Sequence, residues 1–514
     1  MATETASLDA RPARLSFAIY SGSVVLITAA LLFFAFRLYL MSQPLFGVIL
    51  LVLALAFGLV FGTGRFYAHR FILPGLSAIG IFILFPIIYT VYLGFTNYSS
   101  FNLLDYERAV AVIMRNKVVD QSTEQQFLVA SDPADAGLYR IWLPDSGLLS
   151  DPVSLTDAAT AALNPTATEP ATLLDRRDAV KLRSGLQLLE LVQPDGSVLR
   201  NSGLRTFADV QNEYERVGED QLRRVADGMI LTADHDSGFF VDAEGNTMPP
   251  GWRVGIGIDN YKRIFQSEGI RAPMARIFVW TVFFAVASVA LTFAIGLLLA
   301  VILQWPHLRG KAIYRILLIL PYAVPAFISI LVFKGIFNQN FGEINLILET
   351  LFGIRPEWTT NGSLARTMIL IVNVWLGYPY MMLLSMGFLQ SVPEDHKKAA
   401  ALEGASALRV FFTITLPQII PPFLPLLLAS FAFNFNNIVL VLLLTRGGPD
   451  IPGTVIPAGE TDILGSFVYR ISFMDSGQQF GLAGAITFLI FLLVGAMAYT
   501  NFIAMRRAAA KRAA

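Results

Sequence analysis

No cysteine occurs among the 514 residues, and only 15% of them are charged, where soluble domains carry roughly a quarter. The first absence excludes a fold stapled by disulfides. The second, alongside 55% hydrophobic residues, 40 Phe and a mean hydropathy of +0.58, argues against a soluble enzyme and against a disordered chain. Histidine is scarce as well: His69, His235, His307 and His396 fall in four separate regions and suggest no zinc site. A phosphate loop is missing, because Gly310-Lys311 is followed by Ala312 and Trp305 stands where such a loop needs Gly. A Gly-x-Ser-x-Gly elbow, an HExxH helix and an intramembrane pair of carboxylates are absent too, so neither a hydrolase centre nor a proton or sodium relay is expected. No metal, no cofactor and no nucleic-acid partner is expected for this chain. If it moves something, the energy comes from a partner.

What is present is charge of two kinds, segregated. Residues 101–270 hold 26 Asp/Glu and 16 Lys/Arg, while the rest of the chain holds 12 and 22. The formal net charge of zero therefore hides an acidic, water-soluble stretch and a basic remainder made of long apolar runs. A bilayer core about 30 Å thick needs roughly 20 apolar residues per helix. Eight segments meet that length: 16–36, 44–62, 71–95, 276–303, 314–335, 368–390, 419–444 and 482–504. The first is preceded by Arg11 and Arg14, but its apolar run is too long for a signal peptide and no small-residue cleavage site follows, so it reads as a retained anchor. With the N-terminus inside, the inner segments hold 14 Lys/Arg, and the outer short loops and helix ends hold Arg37, Lys334, Arg355, Arg366, Arg446 and Arg470. That bias sets both termini in the cytoplasm and residues 97–272 outside.

The fold class expected is an all-α polytopic membrane protein of about eight transmembrane helices, with a large α+β extracytoplasmic domain inserted between helices 3 and 4. Its domains are 1–96, 97–272 and 273–514. Within the insert, Leu186 to Val192, the turn Pro194-Asp195-Gly196-Ser197, and Val198-Leu199 read as a hairpin. Asp209 to Val225, with charges of both signs, reads as an exposed helix. Asp234-His235-Asp236 lacks the further ligands and spacing of a calcium loop and reads as a solvated turn.

Two constellations point to function. The inner loop 391–418 opens with Pro393-Glu394-Asp395, a sequence suited to a helix N-terminus, continues through Ala399-Ala400-Ala401, and meets Gly404, which can end a helix. Such a helix, lying across the cytoplasmic face, can sit in a groove of a soluble protein. The second constellation lies inside the membrane. Ser430, Phe433, Asn434 and Asn437 share i, i+3, i+4, i+7 spacing, and so do Asn373, Leu376, Gly377 and Tyr380, which places each set on one helical face. Amides with aromatic surfaces suit a carbohydrate, whose hydroxyls both donate and accept and whose rings have apolar faces. Hydrogen bonding between helices alone explains the same spacing equally well.

Ala399-Ala400, then Gly404, nine residues, then Ile414-Thr415-Leu416-Pro417 resembles the EAA loop of ABC-importer permeases, with Lys398 where the family has Glu and a Glu displaced to Glu403. Asn373-Val-Trp-Leu-Gly-Tyr-Pro-Tyr380, Ser430 to Asn437, Leu320-Pro-Tyr-Ala-Val-Pro325, Ile336 to Leu346, Gly447-Gly-Pro-Asp450 and Pro457 to Asp462 are similar to the permease subunits of maltose/maltodextrin importers, the MalF family, over about 255–505. The resemblance implies a non-catalytic translocation subunit of the bacterial inner membrane. It implies a MalG-like second permease, a MalK-like ATPase dimer carrying the ATP and Mg, and a periplasmic maltose-binding protein embraced by the outer domain. By the same resemblance, maltose or maltodextrin is held by Tyr322, Asn373, Leu376, Gly377, Tyr380, Ser430, Phe433, Asn434 and Asn437. ATPase coupling falls to Lys398, Ala399, Ala400, Glu403, Gly404, Ile414, Leu416 and Pro417. A departure at Ala326, where the family has Ser, removes one hydroxyl contact. The amide–aromatic face does not count sugar rings, so trehalose or a glucoside stays open as substrate. An ATP-independent membrane sensor is the competing class; it would not co-purify with an ATPase.

Overall fold

The computed structural model describes residues 10–41, 43–135, 137–166 and 168–513. Two compact units are present: Phe101–Val254, and the described residues before and after it.

Among the described residues of the second unit, seven helices are long and apolar enough to cross a membrane: Ile19–Leu40, Pro44–Gly62, His69–Leu93, Glu268–Gln304, Gly362–Gln390, Ala407–Phe435 and Phe480–Thr500. An eighth crossing is the bent pair Lys311–Ala323 and Ala326–Ile336, whose halves meet at 91°. The single span expected over 314–335 is thus broken. Pro325 supplies the reason: it disfavours helical geometry in the residue before it, and Val324 is extended at φ −86°, ψ 132°. The span expected over 419–444 is also interrupted. Its helix runs from Leu416 to Phe435, leaves helical geometry at Asn436 and Asn437, and resumes over Ile438–Leu444. Asparagine side chains compete with the backbone for its own hydrogen-bonding groups. Asn434 Nδ2 donates to Ser430 O at 2.8 Å and Asn436 Nδ2 to Ala432 O. Pro421, Pro422 and Pro425 are accommodated inside the helix, while Pro417 falls in its first turn.

Glu268–Gln304 and Gly362–Gln390, spans four and six in chain order, pack closely. A Cβ on Gly377 would stand 2.8 Å from Thr292 Cγ2, so only a residue without one lets the backbones approach this far. The connection after span seven is held by ions. Asp462, fully buried, accepts from Arg470 Nη1 at 2.8 Å, Ser466 Oγ at 2.7 Å and Gly459 N at 2.8 Å. Arg470 reaches Asp450 with its other nitrogen. Glu460 receives both Arg276 and Arg366, and the Arg366 guanidinium lies 4.9 Å from the Trp280 ring centroid. Buried charges persist only when paired in this way.

Phe101–Val254 is β-rich. Its larger sheet follows the order Lys117–Val119, Thr206–Asn212, Val198–Asn201, Leu189–Val192, Ala159–Pro165, Leu148–Ser150, Tyr139–Leu143, Leu128–Ser131. Neighbours are antiparallel except Ala159–Pro165 with Leu189–Val192, whose connection carries the helices Arg176–Lys181 and Arg183–Leu186. Ile141, Leu143, Leu189, Leu191, Leu199 and Phe207 close its core. The hairpin expected around Asp195 is present, with Asp195 Oδ1 accepting from Ser197 N at 2.9 Å. The helix expected over 209–225 is absent. Those residues form Thr206–Asn212, Tyr214–Arg216 and Gln221–Arg224, and the last two begin a five-stranded meander ending at Thr247–Met248. The mixed charges that suggested a helical surface are cross-strand partners instead: Glu215 sits opposite Arg223 and pairs with it.

Candidate functional site

The break in span five, the middle of span six and the end of span seven converge on a cavity of about 970 Å³. That is near the upper end of the roughly 300–1,000 Å³ usual for small-molecule sites. All nine residues singled out for ligand contact line it: Tyr322, Asn373, Leu376, Gly377, Tyr380, Ser430, Phe433, Asn434 and Asn437. Ala326 lines it as well, presenting a methyl group where a hydroxyl was weighed.

Each residue arrives there for a local reason. Tyr322 stands in the last turn before the break that Pro325 imposes. Asn373 and Asn434 are nearly buried, and Asn373 Nδ2 donates to Asn434 Oδ1 at 2.7 Å, joining spans six and seven. Asn437 does not share a helical face with Ser430 and Asn434, as a continuous helix would require; it lies past the helix end, where its Nδ2 donates to Asn373 Oδ1 at 3.3 Å. The helix break therefore brings a third amide to the chain of two. Phe433 and Tyr322 are 69% and 58% exposed, so their ring faces are available to a ligand. Thr292, Pro321, Val324, Pro325, Met381 and Asn436 are among the further lining residues and were not singled out from sequence. The Pro-x-x-x-Pro spacing over 321–325 was the available sign of the break. None of the lining residues is Asp, Glu, Lys, Arg or His. The arrangement can hold a neutral, hydroxyl-rich ligand by hydrogen bonds and ring stacking.

The inner loop folds as its spacing indicates. Glu394–Leu402 is a helix, and Gly404 at φ 82° ends it, with Ala405 N donating to Ala400 O at 3.0 Å. Lys398 Nζ lies 3.2 Å from Glu394 Oε2 one turn earlier, so its charge is matched within the helix. Lys398, Ala399, Glu403 and Gly404 are exposed and Ala400 is half-buried. Ile414, Leu416 and Pro417 are elsewhere: Ile414 in the widened turn Phe411–Thr415, Leu416 and Pro417 in the first turn of span seven. The loop thus divides into an exposed helix and a root joined directly to the cavity-forming span. Leu402, Leu408 and Phe412 are 89%, 72% and 59% exposed, an apolar surface the motif alone did not reveal.

Asp234-His235-Asp236 forms the turn expected of it, Asp234 Oδ1 accepting from Asp236 N at 3.0 Å. His235 Nε2 faces Asp220 Oδ1 at 3.2 Å, and Tyr106 Oη donates to the same oxygen. Those hydrogen bonds, Tyr106 first, hold the Asp220 carboxyl below the usual range, while burial and then Asp220 push Tyr106 up to about 12. Among the described residues no group of three His, Cys, Asp or Glu could hold a metal ion.

Residues 104–257 match the family described as the maltose transport system permease protein MalF P2 domain. Residues 274–507 match the binding-protein-dependent transport system inner membrane component. The chain is 47% identical over 487 residues to the maltose/maltodextrin transport system permease protein MalF of Photorhabdus laumondii, covering 91% of this chain and 93% of that one. It is 46% identical over 482 residues to the MalF of Klebsiella aerogenes and 44% over 487 residues to that of Escherichia coli K12, again covering 91% of this chain and 93% of each relative.

Proposed function

The chain belongs to the MalF family of binding-protein-dependent inner-membrane permeases, and from that premise we propose that it carries maltose or maltodextrin through the cavity between spans five, six and seven. The observation that carries this reading is the convergence of nine amide, hydroxyl, aromatic and small residues, from three separate segments, on one cavity without charge. A neutral sugar satisfies such groups without leaving a buried ion.

The subunit itself performs no bond chemistry. ATP, with Mg, is bound and hydrolysed by a MalK-like ATPase dimer that docks against Glu394–Leu402 and the exposed Leu402, Leu408 and Phe412. A MalG-like second permease completes the pathway, and a periplasmic maltose-binding protein delivers sugar. Both termini are cytoplasmic and Phe101–Val254 is periplasmic; the Lys/Arg bias of the short loops supports this orientation. Closure of the ATPases pushes the loop helix. Because the loop runs through Phe411–Thr415 into span seven, that push reaches Ser430 and Asn434 along one element and alternates access to the cavity.

The deciding experiment is sugar-stimulated ATP hydrolysis by the reconstituted complex, screened over maltose, maltodextrins, trehalose and other glucosides. Maltose or maltodextrin should stimulate most; stimulation by trehalose alone would reject the substrate. Gly404→Asp strains the φ 82° position that ends the docking helix and should abolish coupling while leaving binding-protein docking intact. A fully coupled complex would reject the docking role.

A further inference from the structure

The connection between spans five and six contains a ten-residue helix, Glu343–Phe352, that leaves large apolar side chains exposed on its outer side. At about 1.5 Å per residue it is half the length needed to cross a bilayer. Its inward side holds the half-buried Ile344 and Leu348, packed on the core, and one polar residue that is buried. Asn345 is 2% exposed, with Nδ2 donating to Gln339 O at 2.9 Å and Pro356 O at 3.0 Å and Oδ1 accepting from Trp358 Nε1 at 2.8 Å. The side chains it turns outward are apolar: Leu346, Ile347 and Leu351 are exposed, with Phe341 and Phe352 near its two ends at 84% and 69%. Three hydrogen bonds from one amide fix the roll of the helix, so this face cannot rotate inward to hide.

We propose that Glu343–Phe352 lies in the boundary between lipid headgroups and acyl chains, with Leu346, Ile347 and Leu351 inserted and the bilayer as the occupant of this face. The tethers argue for it. The helix starts seven residues after Ile336, where the second half of span five ends, and stops ten residues before Gly362, where span six begins, so both ends hang from membrane-crossing elements. The preceding half-helix also turns apolar side chains outward: Phe327, Leu331 and Val332 are exposed. Of the two carboxylates on the helix, Glu343 stands at its N-terminal end and Glu349 is paired with Arg355. Lys334 is exposed one turn before the connection, and Arg355, just past the helix, donates to Asn340 O and lies 3.8 Å from Glu349. Cationic side chains at such positions extend along apolar surface and reach phosphate. Anchored in this way, the helix holds the outer ends of spans five and six, which frame the cavity, at a fixed depth. The inference rests on the reading of the chain as a membrane permease.

The absence of cysteine makes the test direct. Ile347→Cys, Leu351→Cys and, as control on the far side of the helix from Ile347, Glu349→Cys each give one site for a nitroxide spin label. The complex, its other subunits also freed of cysteine, is reconstituted in nanodiscs of phosphatidylethanolamine and phosphatidylglycerol. At 347 and 351, collision with dissolved oxygen should exceed collision with a water-soluble nickel chelate severalfold, and at 349 the order should reverse. Greater access of the chelate at 347 and 351 would overturn the proposal in favour of a water-facing helix. Exclusion of both reagents would overturn it in favour of a protein partner. Sugar uptake by the labelled complex in sealed proteoliposomes of the same lipids is measured in parallel, so a lipid-exposed label in a complex that moves no sugar would count against the permease reading and not against the membrane contact.

Discussion

Asn373 and Asn434 are proposed ligand groups that also hold each other, and their coupling can be measured. The 2.7 Å bond between them joins span six to span seven at a point where the residues are 5% and 6% exposed. Replacing either with the near-isosteric Leu removes a proposed sugar contact and leaves one polar atom of the other amide, Asn434 Oδ1 or Asn373 Nδ2, without this partner, at a cost of about 1–3 kcal/mol for an unsatisfied buried group. Hydrogen bonds between membrane helices have averaged nearer about 0.6 kcal/mol in double-mutant cycles. Once one partner is gone, the second substitution no longer breaks that bond. Asn373→Leu with Asn434→Leu should therefore be less damaging than the product of the two single losses by about 3- to 10-fold, with tenfold corresponding to about 1.4 kcal/mol. The assay is sugar uptake by proteoliposomes holding the whole complex, with kcat/KM taken for parent, singles and double. Losses that simply multiply would refute the mutual support of the two amides. Parental uptake by either single variant would refute its place in the sugar site.

Two further outcomes test what stabilises each unit by itself. Arg470→Leu strands the buried Asp462 carboxylate with only Ser466 Oγ and Gly459 N, which should destabilise by about 3–5 kcal/mol. Adding Asp462→Leu should recover most of that loss in thermal unfolding in detergent, and an unaltered melting temperature for the single variant would contradict the buried pair. In Phe101–Val254, the Arg224 guanidinium and then the Met229 amide hold the Asp227 carboxyl down at about 2. Because the folded value lies below the ordinary 3.8, the stability Asp227 contributes is present above that value and lost as pH falls toward 2. Circular-dichroism melts should separate parent from Asp227→Asn at pH 5 and not at pH 2; equal separation at both would contradict the assignment.

The spans were legible because hydropathy reports exclusion from water, and that property barely depends on tertiary contacts. The breaks within spans five and seven were not legible from the same signal. Residues on both sides of Val324 and of Asn436 are apolar, and a hydropathy window cannot see the dihedral angle that Pro325 imposes. The chemical identity of the cavity residues could be read from the sequence, but their geometry only in part. Asn437 reaches the cavity past a helix end rather than along a helical face. The strands at 214–224 were misread because charge pairing across an antiparallel ladder, Glu215 opposite Arg223, yields the same mixed-sign composition as an exposed helix. Val217-Gly218-Glu219-Asp220 was the turn signal that separates the two. Arg470, counted from sequence as a loop cation, belongs to a buried pair, because its acidic partners Asp450 and Asp462 are 20 and 8 residues away and only the fold joins them.

The missing charge at the cavity is itself a selectivity device. In the proposed site, a neutral disaccharide would exchange hydration for the amides of Asn373, Asn434 and Asn437, the Ser430 hydroxyl and the rings of Tyr322, Tyr380 and Phe433, all of which line the cavity. A sugar of the same size whose terminal unit has been oxidised to a carboxylate meets the same groups, but no lining Lys, Arg or His pairs with it. Burying that unpaired ion costs several kcal/mol even when hydrogen bonds compensate in part. At about 1.4 kcal/mol per tenfold, transport of the acid should fall by at least about 100-fold. The binding protein could impose the same preference upstream, so the comparison belongs in a complex variant that moves sugar without it. Uptake of the disaccharide and of its acid is followed there with radiolabel. Comparable rates would mean that a counter-charge enters the cavity from another subunit, and the neutrality of this lining would then not set the selectivity of the pathway.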